Sequence, residues 1–186
     1  MKTSDFDYTL PLDRIAQRPL EPRHSSRLMV LNRVQKGLEH STFWDLPIFL
    51  KPGDLVVINQ TRVIPARIYA HKPTGGKVEL LLLNKRTDTI WEVLVGGKKM
   101  LAGSQLEGIG GPKAVIDTVL DGSRRLVRFK SPVDDLLGAI GEMPLPPYIH
   151  EHLDDPESYQ TIYANTSGSA AAPTAGLHFT PELISR

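Results

Sequence analysis

Apolar and polar positions alternate along this chain in short blocks, most of them no longer than a strand. Residues 27–33, RLMVLNR, read as a buried strand, residues 35–37 as a turn, and LEHSTF (38–43) as the returning arm of a hairpin. FWDLPIFL (43–50) is amphipathic, but Pro47 limits it to a short helix. After a turn at KPGD (51–54), LVVIN (55–59) has the unbroken apolar run of a strand covered on both faces.

From Arg67 to Lys130 the texture changes to short strands punctuated by glycine: ARIYAH, KVELLLLN, TIWEVLV, KAVIDTVL and RRLVRFK. About five strands at this spacing predict a small antiparallel barrel or sandwich. In RRLVRFK the period of two sets Arg125, Val127 and Phe129 on one face and Leu126, Arg128 and Lys130 on the other, so the outer face is basic. Helical grammar returns at SPVDDLLGAIGE, with Ser131 as the cap, Pro132 at the first position and Gly141 at the end. MPLPPYI must run extended, and Asp155-Pro156 starts another short helix. The pattern predicts an α/β domain at 1–66 and 142–186, with a small antiparallel β-barrel inserted at 67–141. Thr180-Pro181-Glu182 is a sound helix start with only four residues after it, and the strands at 28–31 and 55–58 lack helices to cover them. The expectation is a chain that lacks the second half of its α/β domain.

Composition narrows the function. At 40% hydrophobic and 23% charged residues the chain has the make-up of a globular protein, and with no cysteine it has neither disulfides nor thiolate chemistry. The segment MKTSDFDYTLPLD has no apolar run and three acids, unlike a secretory signal. The longest apolar stretches are strand-sized, so no membrane span and a cytoplasmic location are expected. Net charge is only +1, yet residues 13–33 hold five arginines against two acids. Arginine suits phosphate contacts, and ion pairs on a solvated face would use it equally well.

Several motifs fail on chemistry. KPTGGK (72–77) lacks the hydroxyl residue and the helix of a phosphate loop. GIGG (108–111) follows no long buried strand and opens no helix, unlike a dinucleotide loop. His150-Glu151-His152 has two imidazoles but no third ligand nearby, and no metal is expected. AAAPTAGLHFT (170–180) sets His178 among small residues, which suits a packing turn as well as a pocket wall.

The assembled set is more specific. RIAQRPLEPRHSSRLMVLNR, KPGDLVVINQTRVIPARI, TGGKVELLLL, MPLPPYI, YQTIYA and AAAPTAGLHFT, in this order, resemble the S-adenosylmethionine:tRNA ribosyltransferase-isomerase family of queuosine biosynthesis. The resemblance implies an α/β domain that is barrel-like when complete. Its activity would move the ribosyl group of S-adenosylmethionine onto 7-aminomethyl-7-deazaguanine at the tRNA wobble position. Epoxyqueuosine forms, and adenine and methionine are released. S-adenosylmethionine is then a substrate, no prosthetic group is needed, and the partner is the anticodon stem-loop of tRNA, met by a monomer.

On this reading His178 is the first candidate for proton transfer. Thr174, with the backbone at Ala175 and Gly176, would hold ribose hydroxyls or the methionine carboxylate. Asn59, Arg62 and Arg67 follow the LVVI strand, where α/β sheets bind ligands. Arg62 and Arg67 suit a carboxylate or a phosphate, and equally a staple between domains. Tyr148, Tyr159 and Tyr163 suit base stacking or core packing. Arg23 and Arg27, with His24, and Arg128 and Lys130 on the barrel are candidates for tRNA. The competing reading is a structured-RNA-binding module without chemistry.

Overall fold

The computed structural model describes residues 1–186, the side chain of Ser169 aside. Its centre is a closed six-stranded antiparallel barrel: β4 (Arg67–His71), β5 (Lys77–Lys85), β6 (Ile90–Gly96), β7 (Gln105–Gly108), β8 (Ala114–Val119) and β9 (Arg124–Phe129). Around the barrel the order is β4-β5-β6-β9-β8-β7, with β7 returning to β4 through Ala70↔Gly108 and His71↔Glu107. The strand β7 escaped the sequence pattern because its four residues carry a single large apolar side chain, Leu106.

Alternation explains the interior. Ile68, Ala70, Val78, Leu80, Leu82, Trp91, Val93, Val95, Ile116, Val127 and Phe129 all point inward and are buried. Closure leaves no exposed edge, and burying each such side chain contributes about 1.5–3 kcal/mol. One end is plugged by Val133, Leu137 and Ile140 from a short helical segment, in which a 3-10 turn (Asp134–Leu136) leads into α1 (Leu137–Ile140). The expected Ser131 cap does not form; Val133 occupies the capping position without a side-chain bond. The GIGG motif belongs to this plug. Gly110 has φ +71°, and a Cβ on Gly111 would come 2.8 Å from Ile140 Cδ1. Its glycines serve close packing, and KPTGGK forms the plain turn between β4 and β5, with Gly75 at φ +87°.

Outside the barrel, β1 (Arg27–Asn32) and β2 (Gly37–Thr42) form the expected hairpin, but as an isolated two-stranded sheet. The expectation of a buried strand fails here: Met29 and Leu31 are largely exposed, since nothing among the described residues lies across the hairpin's second face. A longer departure is LVVIN. It forms no strand, and Leu55 and Val57 are 87% and 84% exposed. An apolar run becomes a doubly covered strand only where neighbouring strands pair with it, and none does among the described residues. The 3-10 helix Phe43–Phe49 carries Pro47, with Asp45 bonding the Thr42 amide and hydroxyl at 3.2 and 2.7 Å.

β3 (Thr61–Val63) and β10 (Thr166–Ser169) pair in parallel, joining segments on either side of the barrel. The barrel meets this layer where Ile64 and Ala170 pack against its core, and at a crossing where Arg67 and Glu142 exchange backbone hydrogen bonds of 3.2 and 2.8 Å. There Gly141 is obligatory, because a Cβ would collide with the Pro65 carbonyl and lie 2.7 Å from that of Leu137. Thr180 caps α2 (Pro181–Ser185) as its grammar predicts, accepting from the Leu183 amide at 3.4 Å.

Candidate functional site

Three stretches distant in sequence build one cleft of about 550 Å³: residues 16–26, residues 145–159 and the turn ending at His178. That volume falls in the usual range for small-molecule sites, about 300–1,000 Å³. The 16–26 arm has no regular ladder, so side chains hold it. Gln17 acts as a strand substitute, its Nε2 donating to the Tyr148 carbonyl at 3.0 Å and its Oε1 accepting from the His150 amide at 2.7 Å. Arg18 pairs with Glu151 and lies 3.7 Å from Asp154. Arg23 donates to the carbonyls of Gln160 (2.6 Å) and Glu157 (3.1 Å). His24 Nδ1 lies 2.8 Å from the Thr180 hydroxyl, with its ring against Trp44.

The opposite wall is the 3-10 turn Thr174–His178. Proline and glycine shape it: the Gly176 amide donates to the Pro173 carbonyl at 2.8 Å and the Phe179 amide to Gly176 at 3.3 Å. Gly176 is buried against Tyr163; a Cβ there would strike the tyrosine hydroxyl and approach Thr161 Cγ2 to 3.0 Å. Thr174, Leu177 and His178 face the cleft, across from Tyr148 and Tyr159.

His178 is half-buried, its ring 5.1 Å from that of Phe43. Burial pushes its pKa below the ordinary imidazole value, and a backbone hydrogen bond to Arg23 opposes that in part. The ring is therefore neutral at pH 7, the state in which imidazole accepts a proton. Burial also raises the Tyr159 hydroxyl, with Arg67 opposing, so Tyr159 stays neutral.

The sequence-predicted residues fall into separate groups. His178, Thr174, Tyr148 and Arg23 share the cleft, although Arg23 is committed to backbone carbonyls. Arg62 and Arg67 line a second cleft of about 760 Å³, divided from the first by residues 149–154. There Arg62 pairs with Glu157, while Arg67 bonds Glu79 at 3.0 Å and the Leu145 carbonyl at 3.2 Å. Asn59 lines neither; its Oδ1 accepts from the Thr61 amide at 2.9 Å. Ala175 is exposed outside the cleft, and the Gly176 amide is used within its own turn. Arg27 lies exposed on β1. Arg128, held by Asp117 at 2.7 Å, and Lys130 border a shallow groove on the barrel. Among the described residues, no three His, Asp or Glu side chains are grouped to hold a metal ion.

Residues the sequence did not flag also matter. Gln160 is buried and reads the backbone of Val63 in both directions, at 2.9 and 2.8 Å. Gln17 lines the first cleft, whereas Glu157 and Gln160 itself line the second. Only its place in the YQTIYA string hinted at this, because each partner lies about a hundred residues away or more.

A family model described as "Queuosine biosynthesis protein" matches residues 3–186. The chain belongs to this family. Curated relatives named S-adenosylmethionine:tRNA ribosyltransferase-isomerase include proteins of Desulfitobacterium hafniense, 53% identical, and Symbiobacterium thermophilum, 50% identical. Each match covers 100% of this chain and 56% of the relative, so the chain spans a little over half of their length. The crystal structure of an S-adenosylmethionine tRNA ribosyltransferase from Thermotoga maritima is 36% identical, with a TM-score of 0.42 over 97% of this chain and 52% of that one. Among the described residues no helix is long and apolar enough to cross a membrane.

Proposed function

We propose that this chain carries the nucleoside cleft of a tRNA ribosyltransferase-isomerase acting in queuosine biosynthesis. The substrates would be S-adenosylmethionine and tRNA bearing 7-aminomethyl-7-deazaguanine at the wobble position. In the reaction a base removes the C5′ proton acidified by the sulfonium. The C1′–N bond breaks as adenine leaves with a proton and the C5′–S bond breaks as methionine leaves. A new C1′–C5′ bond closes the five-carbon ring, the former ring oxygen shifts to become the epoxide oxygen, and the nucleobase's amine nitrogen forms a C–N bond to the sugar as it gives up a proton.

His178 is the proton-transfer group on this reading. Thr174 holds a ribose hydroxyl, Tyr148 and Tyr159 flank the adenine, and the anticodon arm meets Arg23, Arg27, Arg128 and Lys130. Asn59, Arg62, Arg67 and the backbone at Ala175 and Gly176 complete the substrate contacts once the α/β domain at 1–66 and 142–186 is barrel-like, with 67–141 inserted. The single observation that carries the reading is the His178 imidazole lining a cleft of about 550 Å³, inside the most family-specific string of the sequence.

Free adenine is the test. The chain, alone and as part of a full-length relative's sequence, is incubated with S-adenosylmethionine and the aminomethyl-bearing tRNA, and adenine is followed by chromatography. Adenine release, cut at least a hundredfold by His178→Ala with tRNA retention unchanged, is the expected result. Salt-sensitive retention of tRNA without adenine in either protein would instead support an RNA-binding module, the reading favoured by the basic barrel.

A further inference from the structure

Charge is divided unevenly along this nearly neutral chain. Residues 67–130 hold twelve lysines and arginines against six acids, a net +6, while the remainder holds ten against fifteen, a net −5. Ion pairing sharpens the asymmetry. All six barrel carboxylates are committed: Glu79 to Arg67, Asp88 to Lys85, Glu92 to Arg86 and Arg124, Glu107 to Lys113, Asp117 to Arg128 and Asp121 to Arg124. The unpaired cations are Lys72, Lys77, Lys98, Lys99, Arg125 and Lys130.

Five of those six meet at one rim. Lys72 Nζ donates to the Lys98 carbonyl, which ties the β4–β5 turn to the β6–β7 loop. Lys77 opposes His71 at the end of the β4–β5 ladder and lies 4.3 Å over the Tyr69 ring. Arg125, near the start of β9, bonds only the carbonyls of Met100, Gly122 and Arg124, so its charge stays uncompensated. Lys77, Lys98 and Lys99 are exposed. This rim lies at the far end of β4 from the Arg67–Glu142 crossing, about 13 Å along the strand at 3.3 Å per residue.

We infer that this rim is a second contact site for the RNA phosphate backbone, gripping the tRNA away from its reacting base. The inference rests on tRNA being the partner, as in the proposed function. The chemistry is that of a sequence-independent anchor. Mobile ammonium groups without carboxylate partners release counterions when phosphates approach, and no base-reading geometry is required.

The test is the salt dependence of tRNA binding by the 186-residue chain, followed by fluorescence anisotropy with labelled tRNA. A triple variant Lys77→Gln, Lys98→Gln, Lys99→Asn removes three rim charges; asparagine suits the φ of +56° at position 99. Lys72 is left intact because it staples the loops. The control removes the same charge elsewhere: Lys2→Gln, Arg33→Gln, Lys51→Gln. The rim variant is expected to weaken binding at least tenfold near 0.1 M salt and to lower the log–log salt slope by about two to three, with the control nearly unchanged.

Equal losses in both variants, or none in the rim variant, would overturn the inference, as would wild-type chain that binds no tRNA at low salt. So would anionic phosphatidylserine vesicles that bind with the same dependence on the rim, since the site would then be a membrane contact. Adenine release is not read here, so a chain that fails as an enzyme can still pass, and an active one can fail.

Discussion

His178 answers to two neighbours, the Phe43 ring that dehydrates it and the Arg23 backbone that partly compensates. Its folded pKa lies below the unfolded value near 6.5. Above about pH 6.5 both states are neutral and the residue adds no slope to stability. As pH falls from there through the folded value, the unfolded chain binds the proton first and folding weakens. His178→Gln is expected to flatten this limb in urea midpoints measured from pH 8 to 5; an unchanged limb would assign it to another group. Gly176 makes a steric prediction. Gly176→Ala forces a methyl onto the Tyr163 hydroxyl and is expected to cost about 1–3 kcal/mol. Adding Tyr163→Phe, which deletes that hydroxyl, should recover part of the loss in a double-mutant cycle. At this scale Thr174 and His178 were legible because they are near neighbours in one unusual string. Gln17, Glu157 and Gln160 were not, because what they do depends on backbone brought in from far along the chain.

Among the elements, the barrel was readable wherever the period of two held. The inward set of β4, β5, β6 and β9 follows from alternation alone. Glu92 breaks the rule, facing outward on β6 yet only 2% exposed. It is opposite Asn84 at the irregularity in β5 and lies between Arg86 and Arg124. Its bond to Arg86 holds the carboxyl below the usual range, although burial opposes that. The stability it supplies is fully present above about pH 4.3, the unfolded value, and is lost as pH falls through the lower folded value. Glu92→Gln should lower the melting temperature at pH 7 and narrow the gap to wild type below pH 4, a comparison that differential scanning calorimetry makes directly. No sequence pattern announces such a residue, since its partners Arg86 and Arg124 meet it only in the folded barrel.

For the whole molecule, composition gave a neutral globular chain, whereas the structure separates a basic barrel from an acidic remainder. It also leaves residues 55–58 apolar and uncovered, in a chain that spans 56% of its curated relatives' length. Exposed runs of this kind bind hydrophobic probes. The chain should enhance anilinonaphthalene sulfonate fluorescence, and Leu55→Lys with Val57→Lys should remove at least half of the enhancement without moving the barrel's melting transition. No loss of signal would mean that the run is covered in solution. The sequence had assigned this segment to a strand because hydrophobicity records what a stretch can bury, and pairing depends on what lies beside it.

The crossing of Arg67 with Glu142 ties the barrel to the rest of the molecule. The barrel leaves and rejoins the rest of the chain at nearly the same spot, and Ile64 and Ala170 pack against its core from outside it. Arg67 sits at that crossing with its guanidinium on the Leu145 carbonyl, the start of the wall that both clefts share. Any rearrangement at the crossing is therefore passed by Arg67 to the segment that separates the two clefts.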